Sequence, residues 1–258
     1  MTGGRKGRQV ALKIAYDGTG FHGFQKQPGR RTVQGVLEEA LEHLSGASCP
    51  VKGAGRTDAG VHAAGQVVSF WTVDWPIPVG RLVPALNGSL PAEIAVLAAA
   101  EVSATFHPRY DAVSKTYRYT IFRRAARCPF SRLYSLHVPG ALDVARMQQA
   151  AACLMGTHDF RAFQNTGRSV KSAVRTLYEC RVEEEGPFLH LRFTADGFLY
   201  QMVRVIVGTL LEVGRGRLAP SVINQALEAG ERKLLGPTAP PHGLCLERVV
   251  YRTELFGG

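Results

Sequence analysis

The stretch from Gly55 to His62 reads GRTDAGVH and places one carboxylate, Asp58, two residues after an arginine and two residues before Gly60. Glycine has no side chain and adopts backbone angles that other residues avoid, so a large ligand could approach Asp58 closely. The guanidinium of Arg56 could lower the pKa of Asp58 and keep it ionised. On this spacing alone an ordinary turn that contains Asp and Gly is the simpler interpretation, and an acid that acts as nucleophile or base is the alternative.

The charge of the chain favours a polyanionic partner. Its 258 residues contain 31 Lys and Arg against 21 Asp and Glu, which gives a formal net charge of +10. Nucleic acid is the usual partner of such a surface, and an anionic membrane is the competing one. No apolar run of 18 residues and no signal peptide is evident, so we expect a cytoplasmic protein. One local concentration of charge, most simply interpreted as a solvated loop, contains Arg123, Arg124, Arg127 and Arg132.

Cysteine and histidine spacing argues against a metal centre. The five cysteines are widely separated and form no CxxC pair, and no HExxH pattern occurs among the eight histidines. We therefore expect reduced packing cysteines and no metal ligands.

The periodicity of apolar residues predicts two βαββαβ halves, and thus an α+β fold with mainly antiparallel sheets. Predicted strands cover about 10–16, 49–54, 65–73, 94–102, 111–122, 175–185, 188–195 and 244–251. Predicted helices cover a segment capped by Thr32, then about 79–88, 143–155, 199–213 and 221–229. We predict a basic disordered tail at 1–8 and ferredoxin-like halves at 9–105 and 106–258, with adjoining sheets and a central cleft.

The segment Gly18–Gly23 spells GxGxxG directly after a strand, as in dinucleotide-binding turns. A Rossmann turn opens straight into an apolar helix, whereas this one is followed by polar residues and a proline, so we reject that interpretation. Phe21 and Phe24 alternate with cations such as Lys26, a pattern typical of a surface that stacks bases and contacts phosphates. A turn with two core phenylalanines is the alternative.

Two more side chains could belong to an RNA site. Tyr117 and Tyr119 are two residues apart on a strand, so both rings point to one face, where a tyrosine either lines a pocket or packs. Arg204 lies within an apolar helical segment, where a guanidinium without a carboxylate would cost several kcal/mol. The candidate acids are Asp58, Asp196 and Glu212.

Several ordered motifs resemble those of the tRNA pseudouridine synthase A family. They are YDGTGFHGFQ, RTVQGVLEEAL, GRTDAGVH, SKTYRYTIF, HDFRAF, MVRVIVGTLLEVG and HGLCL, and the resemblance extends from about residue 10 to 251. It implies the pseudouridine synthase fold and isomerisation of uridine in the anticodon stem-loop of tRNA, at positions 38 to 40. It also implies a homodimer and the absence of a cofactor and of a catalytic metal.

The resemblance assigns roles to particular residues. It implies that Asp58 is the catalytic aspartate, that Tyr117 lies against the target base and that Arg204 forms the ion pair with the aspartate. The full set of expected substrate-binding residues is Tyr117, Arg56, His62, Arg204, Phe21, Lys26 and Leu244. A base inside a stem has to leave its stack to be reached, which a basic cleft with an aromatic ring would favour.

Two other classes of function are compatible with parts of the pattern. A non-catalytic tRNA-binding or chaperone protein would use the same basic surface without needing a particular acid. A metal-dependent nuclease needs clustered carboxylates, whereas Asp58 has no acidic neighbour between Glu42 and Asp74.

Overall fold

The computed structural model describes residues 7–73, 75, 77–165 and 171–257. The chain divides into two compact units, one of residues 1–113 with 246–258 and one of residues 114–245. The predicted halves, 9–105 and 106–258, differ from these units mainly at the end of the chain. The last strand (Leu244–Tyr251) neighbours the strand His62–Val73 of the first unit in the sheet, so most of it counts with that unit.

The first unit is a ferredoxin-like βαββαβ arrangement. Its elements are β1 (Gly7–Tyr16), α1 (Val33–Ser45), β2 (Lys52–Gly53), β3 (His62–Val73), α2 (Val79–Ser89) and β4 (Ile94–Val102). Strand β1 pairs with β4 on one edge and β3 on the other, and β2 pairs with β3, all antiparallel. The predicted element order is confirmed for this unit.

Helix α1 begins and ends where its sequence predicts. The Thr32 hydroxyl accepts a hydrogen bond from Gly35 N–H at 3.3 Å, which satisfies one of the free donors of the first turn. Val33, Leu37 and Leu41 are spaced by four residues and are buried. Gly46, with φ of 71°, ends the helix in the left-handed conformation that glycine tolerates best.

The second unit contains four neighbouring antiparallel strands, at 112–122, 188–195, 174–185 and 156–159 in that order, and a short strand at 136–137 that is parallel to the first of them. The elements from here to the end of the chain are β5 (Ala112–Phe122), β6 (Leu136–His137), α3 (Val144–Ala152), β7 (Gly156–Asp159), β8 (Val174–Glu185), β9 (Phe188–Ala195), α4 (Met202–Gly214), α5 (Val222–Ala229) and β10 (Leu244–Tyr251). Helix α3 packs against α4, which is buried along most of its length. The α+β class and the mainly antiparallel pairing are confirmed.

The last two residues of the predicted tail, Gly7 and Arg8, belong to a strand. Residues 1–6 of that tail lie outside the described residues, but Gly7 and Arg8 form the start of β1 and pair with Val73 and Thr72. The Arg8 side chain also donates to Ile77 O at 2.7 Å. Backbone pairing therefore extends the strand into a segment whose composition indicated disorder. Within the ranges described, no helix is both long enough and apolar enough to span a membrane.

Candidate active site

Asp58 lies in a tight turn between β2 and β3, and its side chain is partly exposed. Its backbone carbonyl accepts a hydrogen bond from Val61 N–H at 3.1 Å. Gly60, the third residue of this turn, has φ of 77°, an angle at which a side chain would be strained. The glycine thus makes a turn that places the aspartate at its first position.

The Asp58 turn is held by backbone hydrogen bonds to the loop that follows β1. Phe24 N–H donates to Thr57 O at 3.1 Å, and Gly60 N–H donates to Phe21 O at 3.4 Å. These two bonds attach the chain on both sides of Asp58 to residues more than thirty positions earlier. The backbone that carries the carboxylate is therefore fixed before any ligand binds.

Two glycines of the GxGxxG segment allow this close packing. A Cβ atom at Gly18 would stand 2.0 Å from Val61 O, and one at Gly23 would stand 2.7 Å from Thr57 O. Gly23 also has φ of 85°. The glycine spacing that resembles a dinucleotide turn thus serves to bring two loops into contact.

Buried side chains connect the same two loops. His62 is 5% exposed, and its Nδ1 lies 3.1 Å from Gly18 N and 3.2 Å from Asp17 Oδ1. That nitrogen accepts from Gly18 N–H when it carries no proton, and donates to the Asp17 carboxylate when it does. The hydroxyls of Tyr16 and Thr57 are 2.8 Å apart and buried. His62 is therefore placed to hold the two loops together. The sequence predicted only a role in substrate binding for this residue.

The cationic and aromatic candidates near this loop differ in exposure. Arg56 and Lys26 are exposed, and Lys26 forms a 2.9 Å ion pair with Glu38, whose hydrogen bond raises the pKa of the lysine. Phe21 is only 3% exposed, and the Arg31 guanidinium lies 4.3 Å from its ring centroid. This placement fits the packing interpretation of Phe21, because a base could not reach its face without moving Arg31.

In the second unit, Tyr117 lies on β5 and is 8% exposed. The ring of Phe198 meets it edge-on, with centroids 5.1 Å apart and planes at 86°. Phe198 was not identified as a site residue from the sequence. The only signal for it in the sequence is its position just before α4. Tyr119 lies on the same face, donates its hydroxyl to Pro240 O at 2.8 Å, and has a pKa raised by burial.

Arg204 lies on α4 and is partly exposed, whereas its apolar neighbours predicted burial. Its Nε donates to Ala239 O at 2.8 Å, and Ala239 N–H donates to Arg204 O at 3.0 Å. Of the predicted acids, Asp196 accepts a backbone N–H, and Glu212 forms ion pairs with two other arginines. The pairing of Arg204 with Asp58 stays a prediction.

Leu244 begins β10 and is buried. Gly243, just before it, packs so tightly on the ring of Tyr119 that an added Cβ would lie 2.7 Å from ring atoms. Leu244 is therefore anchored beside a hydrogen-bonded tyrosine.

The predicted site residues thus fall into two groups, one in each unit. The first group is Asp58, Arg56, His62, Phe21 and Lys26, and the second is Tyr117, Arg204 and Leu244. Among the residues that the structure describes, no three His, Cys, Asp or Glu side chains converge as metal ligands would.

A family described as tRNA pseudouridine synthase matches residues 13–111 and 150–252 of the chain. The first matched block contains Asp58, the second contains Arg204 and Leu244, and Tyr117 lies between the two.

Curated relatives match over almost the whole chain. The tRNA pseudouridine synthase A of Moorella thermoacetica is 50% identical over 244 residues, which are 94% of this chain and 99% of that protein. The protein of the same name from Geobacillus kaustophilus is 47% identical over 250 residues, 96% of each chain. The tRNA pseudouridine synthase A 2 of Clostridium perfringens is 44% identical over 244 residues, 95% of this chain and all of that protein.

Proposed function

The chain belongs to the tRNA pseudouridine synthase family, and we propose that it isomerises uridine to pseudouridine in the anticodon stem-loop of tRNA, at positions 38 to 40, with Asp58 as the catalytic aspartate. The structure of the turn that contains Asp58 is the main support for its catalytic role. A partly exposed carboxylate stands on a backbone that two long-range hydrogen bonds hold in place. Such preorganisation suits a group that must meet a reacting atom within a few tenths of an ångström.

The reaction requires a group of this kind and no added reagent. The bond between C1' of the ribose and N1 of the uracil breaks, the base turns over, and C5 forms a new bond to C1'. The proton on C5 is lost and a proton is gained at N1, so the product has the same composition as the substrate. Ionised Asp58 either attacks the base, attacks the sugar, or removes the sugar proton that starts cleavage of the glycosidic bond.

We propose that the second group of residues holds the target nucleotide. The ring of Tyr117, which is 8% exposed and meets Phe198 edge-on, is suited to packing against a base that has left its stack. In this proposal Arg204 is the partner of Asp58, the role that the resemblance implies for it. The net charge of +10 supports binding of the tRNA backbone. We further propose that the enzyme works as a cytoplasmic homodimer.

The test compares Asp58→Asn with a matched control, Asp143→Asn. Asparagine is close in shape to aspartate but cannot act as a nucleophile or base at neutral pH. Asp143 caps α3 by accepting from Arg146 N–H at 3.0 Å, and asparagine caps helices equally well. We expect Asp58→Asn to bind an unmodified tRNA transcript but to form no pseudouridine in carbodiimide mapping at single-nucleotide resolution, whereas Asp143→Asn should retain full turnover.

The same assay separates the proposal from its alternatives. A tRNA-binding or chaperone protein would bind the transcript without producing pseudouridine even as the wild type. A metal-dependent nuclease would cleave the RNA and would stop in EDTA. Product at a position other than 38 to 40 would refute the proposed target while leaving the reaction class intact.

A further inference from the structure

Four side chains of the second unit form a hydrogen-bonded network beside the start of α4: Asn165, Gln201, Arg232 and Thr238. The Asn165 amide nitrogen donates to the Gln201 side-chain oxygen and, at 2.8 Å, to the Thr238 hydroxyl. Its oxygen accepts from Arg232 Nε at 3.1 Å. The side-chain amide of asparagine has two N–H donors and one acceptor oxygen in one plane, so aspartate or leucine at position 165 could not make these contacts. We call these four residues the Asn165 network.

Arg232 ties the chain before Thr238 into the same network. Its two terminal nitrogens donate to Gly236 O at 2.9 Å and to the Thr238 hydroxyl at 3.2 Å. Burial lowers the pKa of this arginine. A guanidinium that has lost part of its hydration needs these acceptors, and its planar donor array holds several of them at once in fixed directions.

Gln201 joins the network to the first turn of α4. In the described part of the chain it is the one residue other than glycine with a positive φ, 59°. This backbone conformation is strained for a residue with a side chain and persists only where the surroundings hold it. Here the side-chain oxygen accepts from Asn165, the side-chain nitrogen donates to Tyr200 Oη at 3.2 Å, and the backbone carbonyl accepts from Val205 N–H at 3.0 Å.

Both ends of the network lead to Arg204. Gln201, the residue just before α4, precedes it by three positions. Thr238 precedes Ala239, which exchanges two hydrogen bonds with Arg204. The Arg204 Nε is thus held by a carbonyl whose own position depends on Thr238. The network therefore acts on the direction of the Arg204 guanidinium through its Nε.

We propose that the Asn165 network is a positioning device that orients the Arg204 guanidinium for the role that the proposed function gives it. The inference rests on the proposed function, because that function assigns Arg204 its partner. The four network residues act through Arg204 and do not touch the reacting atoms.

The test is a double-mutant cycle between Asn165→Ala and Arg204→Lys. Misplacing a catalytic group by about 1 Å costs on the order of a hundredfold in rate, so Asn165→Ala should lower kcat by about ten- to a hundredfold. The Kd for tRNA should stay within about twofold. Lysine at position 204 has no Nε–H to meet Ala239 O, so in that background Asn165→Ala should change kcat by less than about twofold.

Gln148→Ala is the matched control, because this part-buried amide on α3 of the same unit donates to Val182 O at 2.9 Å. It loses one hydrogen bond where Asn165→Ala loses three, so we expect it to lower the melting temperature by less than Asn165→Ala does and to leave kcat within about twofold. Arg232→Lys keeps the charge and loses the planar donor array, so it should reproduce the decrease in kcat and serves if Asn165→Ala does not fold.

A second readout does not need turnover. Exchange of the Arg204 Nε–H with solvent, followed by 15N NMR, should accelerate in Asn165→Ala and stay slow in Gln148→Ala. Rate losses that add in the double mutant, or an unchanged exchange rate, would overturn the proposal. A wild-type protein that forms no pseudouridine would instead refute the proposed function, while the exchange measurement still decides the inference.

Discussion

Substitution of Gly18 by alanine should disable the enzyme by displacing the Asp58 turn. The added Cβ would stand 2.0 Å from Val61 O, whereas ordinary contacts begin near 3.4 Å, so the two loops must separate by about 1.4 Å. Val61 N–H is bonded to Asp58 O, so the displacement passes directly to the catalytic turn. The neighbouring atom belongs to the backbone and cannot rotate away as a flexible side chain would.

The expected effect is larger on rate than on folding. Overpacking of this kind costs about 1–3 kcal/mol of unfolding free energy, which a 258-residue protein can tolerate. A shift of about 1 Å in the carboxylate should lower kcat by on the order of a hundredfold. We would measure single-turnover pseudouridine formation on an unmodified tRNA transcript, together with tRNA affinity and thermal unfolding monitored by circular dichroism.

Gly20→Ala is the control, since it changes the same motif by the same methyl group. Its Cβ would meet only the end of the Arg31 side chain, at 3.1 Å, and that end can move. We expect activity within about threefold of the wild type. The reasoning would be refuted by a folded Gly18→Ala protein with wild-type turnover, or by equal losses in both variants.

Two more predictions concern pH and RNA binding. Partial burial raises the pKa of Glu38, but hydrogen bonds from Val51 N–H and from Lys26 outweigh it, so the folded-state pKa is below the ordinary 4.5. The stability that this carboxylate contributes is therefore present above about pH 4.5 and is lost as the pH falls through the folded-state pKa. In denaturant titrations, Glu38→Gln should reduce the change of the unfolding free energy with pH over that acidic range. An unchanged slope of the unfolding free energy against pH would contradict this prediction. Arg127 and Arg132 are exposed and lie close in sequence to Phe130, which is 94% exposed. The double substitution Arg127→Glu and Arg132→Glu should weaken tRNA binding, and it should reduce the slope of log Kd against log salt concentration by up to about 0.9 for each phosphate that these arginines neutralise. An unaltered salt slope would show that this segment does not bind RNA.

Local signals in the sequence were sufficient for the order and type of most elements. Apolar alternation predicted β1, and the capping residues Thr32 and Asp143 predicted the starts of α1 and α3. Each of these signals acts within a few residues, so a short window contains the whole cause. Strand β7 was missed because four residues carry too little pattern, and its pairing with β8 is what makes it a strand.

The candidate site divides in the same way. The sequence determined that an aspartate stands in a glycine-containing turn, because the turn needs only Gly60 and its neighbours. It left open whether Phe21 packs or stacks, and what holds Arg204. Those outcomes depend on Arg31 lying over one ring and on Ala239 O facing one guanidinium. Only the tertiary structure decides such contacts, because they arise when the chain brings together atoms from distant positions, and no local pattern records which atoms will meet.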